Sequence, residues 1–161
     1  MKVGILVHSH TGTTLKFARE IESRLKEKGH DVSLVKLETD PAVDPSNISK
    51  VKDFKISNLP DATSFDYLLV GGPVWAFSAT PVITSCFKQM GSLQGKKVIP
   101  FVSMGSPMRF MGGNRAVGMI RKAAEQQGAE VVGNGYVSSK MFHDQPKEMG
   151  DIADSIVASI R

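Results

Sequence analysis

The feature that most restricts this chain is the alternation of two hydrophobic periods along its length. Short, almost wholly apolar runs, such as Val3 to Val7 and Tyr67 to Val70, alternate with stretches whose apolar residues recur at helical spacing. An apolar run of four or five residues buries both faces of a strand, and such strands belong to parallel sheets covered by helices on each side. Val32 to Leu37, Lys97 to Val102 and Val131 to Val137 read as three further strands. Between them lie amphipathic helices carrying Leu15, Ala18, Ile21 and Leu25, then Val82, Ile83, Cys86, Phe87 and Met90, then Ala116, Val117, Ile120, Ala123 and Ala124. Ile152, Ile156 and Ile160 mark a last helix, while Gly29 and Gly128 stop the first and third. Right-handed crossovers leave few ways to connect these pieces. The expected fold is α/β: three layers built on a doubly wound, open, parallel five-stranded sheet of order 2-1-3-4-5. With 161 residues the chain is expected to form one domain over its whole length, 1–161. Two features fit this pattern poorly. Pro100 sits inside the fourth strand and removes a ladder donor. Residues 38–65 show no strong period, and a degraded helix from Ile48 to Phe54 is expected for part of them.

The chain has one cysteine, Cys86, which excludes an internal disulfide framework or a Cys-rich zinc site. Its four histidines, His8, His10, His30 and His143, show no metal-ligand spacing. No apolar stretch approaches the ~18 residues needed to span a membrane, and Val3 follows the start without a signal-peptide pattern. A cytoplasmic protein with no membrane association is expected. The net charge is +4. More informative is the stretch from Tyr67 to Ala124, which has no Asp or Glu but holds Lys88, Lys96, Lys97, Arg109, Arg115, Arg121 and Lys122. A solvated basic face explains it simply. No dense basic stripe with interleaved aromatics accompanies it, so no nucleic-acid partner is expected. A small anionic ligand suits it better.

In such a sheet, ligands bind outside the carboxyl ends of the strands, where the first and third strands diverge. Three loops meet there. The first is Ser9-His10-Thr11-Gly12-Thr13-Thr14. Its hydroxyls, a glycine permitting close backbone approach, and the start of the following helix suit a phosphate monoester. Ordinary N-capping would use one or two of those hydroxyls. The second, Gly71 to Pro81, holds the sole tryptophan, Trp75, and Phe77, within Pro73-Val74-Trp75-Ala76-Phe77. These aromatics either stack on a planar ligand or form a lid over the next helix. The third runs from Ser103-Met104-Gly105 to Gly112-Gly113-Asn114-Arg115. Its methionines and Phe110 offer a soft apolar surface, which equally suits contact between two copies of the chain in a homodimer. Other signatures are missing: there is no GxxxxGK[ST], no GxGxxG after the first strand and no GxSxG. Cys86 lies on an apolar helix face and lacks the arginine six positions later that a cysteine phosphatase needs.

Taken in order, these three loops resemble the flavodoxin-like FMN-binding family over nearly the whole chain. Ser9 to Thr14 matches that family's [ST]-x-[ST]-G-x-[ST] phosphate loop at every fixed position, and Gly71 to Trp75 is similar to its ring-contact loop. The chain lacks an insertion in the fifth strand and so resembles the short-chain type. The resemblance implies FMN as cofactor, with Ser9, His10, Thr11, Gly12, Thr13 and Thr14 at the phosphate. Pro73, Val74, Trp75, Ala76 and Phe77 would then lie on one side of the ring, and Ser103, Met104, Gly105, Gly112 and Gly113 would close the other. It also implies a redox partner protein or a small electron acceptor. Two departures separate this chain from acidic electron carriers. No carboxylate lies between Tyr67 and Ala124, and the ring-contact aromatic is followed by Ala76-Phe77 rather than by a glycine whose peptide can flip. Two functions follow from the resemblance: electron transfer or reduction of a small acceptor by the bound flavin, and, as the alternative, an NAD(P)H-dependent FMN or quinone reductase. Arg109 and Arg115, flanking the glycine pair, are candidates to favour negative charge on a reduced flavin.

Overall fold

The computed structural model describes residues 1–10, 12–43, 46–47, 53–105, 112–138 and 145–160. In chain order the elements are β1 (Lys2–Val7), α1 (Thr13–Glu27), β2 (Asp31–Lys36), β3 (Thr39–Asp40), β4 (Lys55–Ile56), a 3-10 turn at Ala62–Ser64, β5 (Tyr67–Trp75), β6 (Ser78–Ala79), α2 (Pro81–Met90), β7 (Lys97–Met104), α3 (Gly113–Gln126), β8 (Glu130–Val131), β9 (Gly135–Ser138) and α4 (Gln145–Ala158). The parallel sheet runs β2-β1-β5-β7, with β8 and β9 sharing the fifth position beside β7. This is the expected 2-1-3-4-5 order.

The apolar strands bury both faces because helices cover both. Leu6, Leu68, Val70, Val98 and Val102 point toward α2 and α3 and pack with Ile83, Phe87, Val117 and Ile120. Val3, Ile5, Val7, Leu69, Ile99 and Phe101 point toward α1 and α4, against Phe17, Ile21, Leu25, Met149 and Ile156. Phe17 and Phe101 meet edge-on at 5.5 Å. Each such fully buried side chain contributes roughly 1.5–3 kcal/mol. No helix among the described residues is long and apolar enough to cross a membrane.

Two expectations are corrected, and a third stretch shows structure that no period foretold. The third strand does not stop at Val70 but continues to Trp75, turns, and returns as β6. Gly71, Gly72 and Pro73 therefore belong to the sheet, opposite Phe101, Val102 and Ser103. The fifth strand is not continuous from Val131 to Val137 but breaks between β8 and β9. Pro100 explains the break. Lys96 and Val98 accept hydrogen bonds from Glu130 and Val132 on the fifth strand. In a parallel ladder alternate residues face the same neighbour, so Pro100 faces that strand too, and it has no N–H to offer. Residues 132–134 lie outside the strands at that level. Finally, the segment after β2 folds back as a β3–β4 ribbon that buries Leu37, Val43 and Ile56. The helix expected at Ile48 to Phe54 lies largely outside the described residues, and Asp53 and Phe54 are not helical.

Candidate functional site

β1 ends at Val7, yet the chain stays on the sheet for one more residue, because the His8 amide donates to the Gly71 carbonyl at 2.9 Å. Ser9 is buried. Its hydroxyl oxygen accepts from the amides of Gly12 at 3.1 Å and Leu15 at 3.4 Å. Both bonds use the oxygen, so the hydroxyl proton remains available to a ligand. Gly12 enters α1 in the left-handed region, with φ 94°, and a Cβ placed there would meet nothing within 4 Å. Ser9 thus takes the third amide of α1, that of Leu15, while Gly12 brings no side chain to the helix end and the Thr13 and Thr14 amides find no acceptor among the described residues. The first turns of α1, α2 and α3 also contain no acidic residue. Three positive helix ends thus face the carboxyl edge of the sheet without a carboxylate to balance them, an arrangement that favours an anion.

The three loops are tied together behind this edge. The Thr14 and Ser103 hydroxyls share a buried hydrogen bond of 2.6 Å, which joins α1 to the end of β7. Trp75, half-buried, ends β5 and faces Ser78 across the hairpin. The two turn residues, Ala76 and Phe77, have φ of 48° and 62°. Positive φ at both positions is the hairpin geometry that glycine and asparagine favour. Alanine and phenylalanine there hold the chain in a strained conformation. Phe77 is 62% exposed, a large apolar side chain facing outward beside Trp75. From the third loop, Gly112, with φ 106°, packs so closely that a Cβ would lie 2.7 Å from the Phe77 Cα.

Behind Trp75 lies His8, 6% exposed. Its Nδ1 shares a 2.9 Å hydrogen bond with the buried Thr80 hydroxyl, and its ring meets the Trp75 ring edge-on at 5.1 Å. Burial lowers its pKa to about 4; His10 and then Lys36 push the same way against an opposing backbone bond to Val43. At neutral pH the ring is uncharged. His8 and Ser9 also border an open depression of about 370 Å³ that reaches Glu38 and Ser57.

The family model for NADPH-dependent FMN reductase matches residues 1–144. The chain belongs to that family. It is thus a member of a flavodoxin-like group of FMN-binding flavoproteins. No curated protein sequence matches it. Solved structures share the fold. A flavoprotein in complex with FMN from Lactobacillus acidophilus NCFM is 20% identical, with a TM-score of 0.67 over 94% of this chain and 98% of that one. Oxidised flavodoxin 2 from Bacillus cereus is 19% identical, with a TM-score of 0.68 over 99% of this chain and 100% of the other. A cysteine-to-serine mutant of flavodoxin from Pseudomonas aeruginosa is 16% identical, with a TM-score of 0.68 and 99% of each chain covered.

In this FMN reductase family member, the expected site residues occupy different depths. Ser9, Gly12 and Thr13 surround the start of α1, whereas the Thr14 hydroxyl is already engaged with Ser103. His10 is exposed and lies edge-on to Trp75 at 6.1 Å. Pro73, Val74 and Trp75 are the half-buried end of β5, and Ala76 and Phe77 form its exposed turn. Ser103 and Met104 are buried at the end of β7, and Gly105 is exposed beyond them. Gly112 and Gly113 are buried against protein atoms: Phe77 and Val74 for the first, Met104 and Tyr136 for the second. Their tightness serves the joint between loops. Arg115 is exposed, where screening leaves its charge little effect on a buried group. Thr11 and Arg109 lie outside the described residues. Among the described residues no cluster of His, Cys, Asp and Glu could hold a metal. Sequence reading missed His8 and Thr80; their pairing spans 72 residues and carries no local signal.

Proposed function

We propose that this protein is an FMN-dependent oxidoreductase that accepts electrons from NAD(P)H and delivers them to a small acceptor such as a quinone. The observation that carries the reading is the start of α1: a helix end whose first two amides are free, open space over Gly12 and an available Ser9 proton. That donor set matches a terminal phosphomonoester, the group that ends FMN. Ser9, Thr13 and the amides of Thr13 and Thr14 would hold the phosphate. Thr14 and Ser103 would brace the cradle from behind through their shared bond. Trp75, with Phe77 at its rim, would wall one side of the flavin, and the chain from Ser103 to Gly105 the other. Bound FMN supplies the electron-transfer chemistry. The protein's part is to fix the ring between its walls and keep one face open to a second molecule.

The match to the NADPH-dependent FMN reductase family supports a nicotinamide donor. So does the lack of carboxylates from Tyr67 to Ala124, which leaves the edge without repulsion toward an anionic nucleotide. The flavodoxins that share the fold support the second reading, a carrier docking on a redox protein. Steady-state oxidation of NADPH by the FMN-loaded protein with added quinone separates the two. Turnover that requires both FMN and quinone is expected. Absence of NADPH oxidation, with prompt electron transfer from chemically reduced protein to a redox protein, would select the carrier.

A further inference from the structure

Thr80 occupies the N-cap of α2, yet its hydroxyl caps no amide of that helix. Threonine at an N-cap ordinarily gives its oxygen to an amide of the first turn. Here the Ile83 and Thr84 amides both turn to the Thr80 carbonyl, at 3.1 and 3.3 Å, and the hydroxyl goes instead to His8 Nδ1 at 2.9 Å. Thr80 is fully buried and His8 nearly so. A buried imidazole nitrogen needs a partner, and this bond, together with the backbone bond to Val43, fixes the rotation of the ring. The ring so fixed stands edge-on to Trp75, with 5.1 Å between centroids and 73° between planes. His10 approaches Trp75 in the same manner from the exposed side, at 6.1 Å and 84°. Edge-to-face contacts of this kind are directional, so they set where the indole points as well as how much of it is covered. The sequence after Trp75 gives orientation added weight: the chain turns at once through two left-handed non-glycine residues.

We propose that the buried His8–Thr80 pair is a positioning device that holds the Trp75 indole at the angle needed to face the flavin ring. Neither residue touches the ligand; both act through Trp75. The proposal rests on Trp75 as a wall of the FMN site, but its first test does not. Trp75 is the sole tryptophan of the chain. The long-wavelength edge of the near-ultraviolet circular dichroism of the FMN-free protein, where Tyr67 and Tyr136 no longer absorb, therefore reports the indole's surroundings alone.

Thr80→Val keeps the side chain's shape and removes the hydroxyl; Thr80→Ser keeps the hydroxyl. In FMN-free protein, Thr80→Val is expected to reduce the Trp75 band by about half, while Thr80→Ser retains it. FMN affinity should fall about fivefold in Thr80→Val, the scale of one lost hydrogen bond, and stay at the wild-type level in Thr80→Ser. In a Trp75→Phe background, Thr80→Val should cause no further loss of FMN affinity. An unchanged Trp75 band in Thr80→Val overturns the proposal. So does an equal loss of affinity with and without Trp75, which would show the pair to be structural only. If Thr80→Val does not fold, His8→Gln decides on the same band and the same two backgrounds. If the wild-type protein binds no FMN, the functional reading falls, and the Trp75 band still decides whether His8 and Thr80 position the indole.

Discussion

Replacing three glycines with alanine, one at a time, separates backbone strain from steric clash at this edge. Gly105 has open space around an added Cβ and no left-handed backbone. Gly105→Ala should therefore change stability by no more than ~0.5 kcal/mol. Gly12 has the same open space but φ of 94°. The left-handed penalty for an L-residue is roughly 1–2 kcal/mol, partly offset by ~0.4–1 kcal/mol from a less flexible unfolded chain. Gly12→Ala should cost about 1 kcal/mol. Gly112 combines φ of 106° with a Cβ that would lie 2.7 Å from the Phe77 Cα and 2.9 Å from a Val74 methyl carbon, Cγ1. Those contacts can be relieved only by moving α3 away from the β5–β6 turn, and overpacking of that kind costs roughly 1–3 kcal/mol more. Gly112→Ala should thus cost about 2–4 kcal/mol, a large part of a typical domain's ~5–15 kcal/mol. Urea unfolding of the FMN-free variants, followed by far-ultraviolet circular dichroism, measures all three. Affinity for FMN should fall out of proportion to stability in Gly12→Ala, whose Cβ enters the proposed phosphate space, and not in Gly112→Ala, whose Cβ meets only protein atoms. If Gly112→Ala costs no more than Gly12→Ala, the second and third loops do not pack as described.

Two further outcomes follow from the same geometry. Trp75→Ala should weaken FMN binding by roughly 1–3 kcal/mol and restore quenched flavin emission; unchanged affinity and quenching would place Trp75 outside the site. His8 has a folded pKa of about 4 against an unfolded value of 6.5. The unfolded chain therefore binds more protons between those values, so the stability held by the neutral ring is complete above pH ~6.5 and lost as pH falls to ~4. At ~1.4 kcal/mol per pKa unit the loss approaches ~3 kcal/mol. Urea midpoints across that window should fall less steeply in His8→Gln than in wild type, and an identical slope would deny His8 this role.

The order of the sheet was legible because each strand and helix carries its own period, and right-handed crossovers leave little choice. The ends of the strands were less so. Gly71-Gly72-Pro73 reads as a loop by propensity, yet it continues β5. Phe101 and Ile83 pack directly over Gly71 and Gly72, where side chains would collide. Pro100 was visible as an anomaly, but its consequence, a break in the neighbouring strand, depends on which neighbour its missing N–H faces. The β3–β4 ribbon consists of residue pairs too short to show a period. In the site, the Ser9–Thr14 loop was readable as a compact local motif. The Thr14–Ser103 and His8–Thr80 bonds join residues 89 and 72 positions apart, and only the folded sheet brings them together.

The central claim is that the start of α1 holds the phosphate of FMN. Titrating the FMN-free protein with FMN and with riboflavin, which lacks only that phosphate, tests it most directly. The claim predicts one FMN per chain and an affinity for riboflavin about a hundredfold lower or weaker still, since two charge-assisted hydrogen bonds at ~1.5–3 kcal/mol each would be lost. Equal affinity for the two would contradict it and leave the Ser9–Thr14 loop without a ligand.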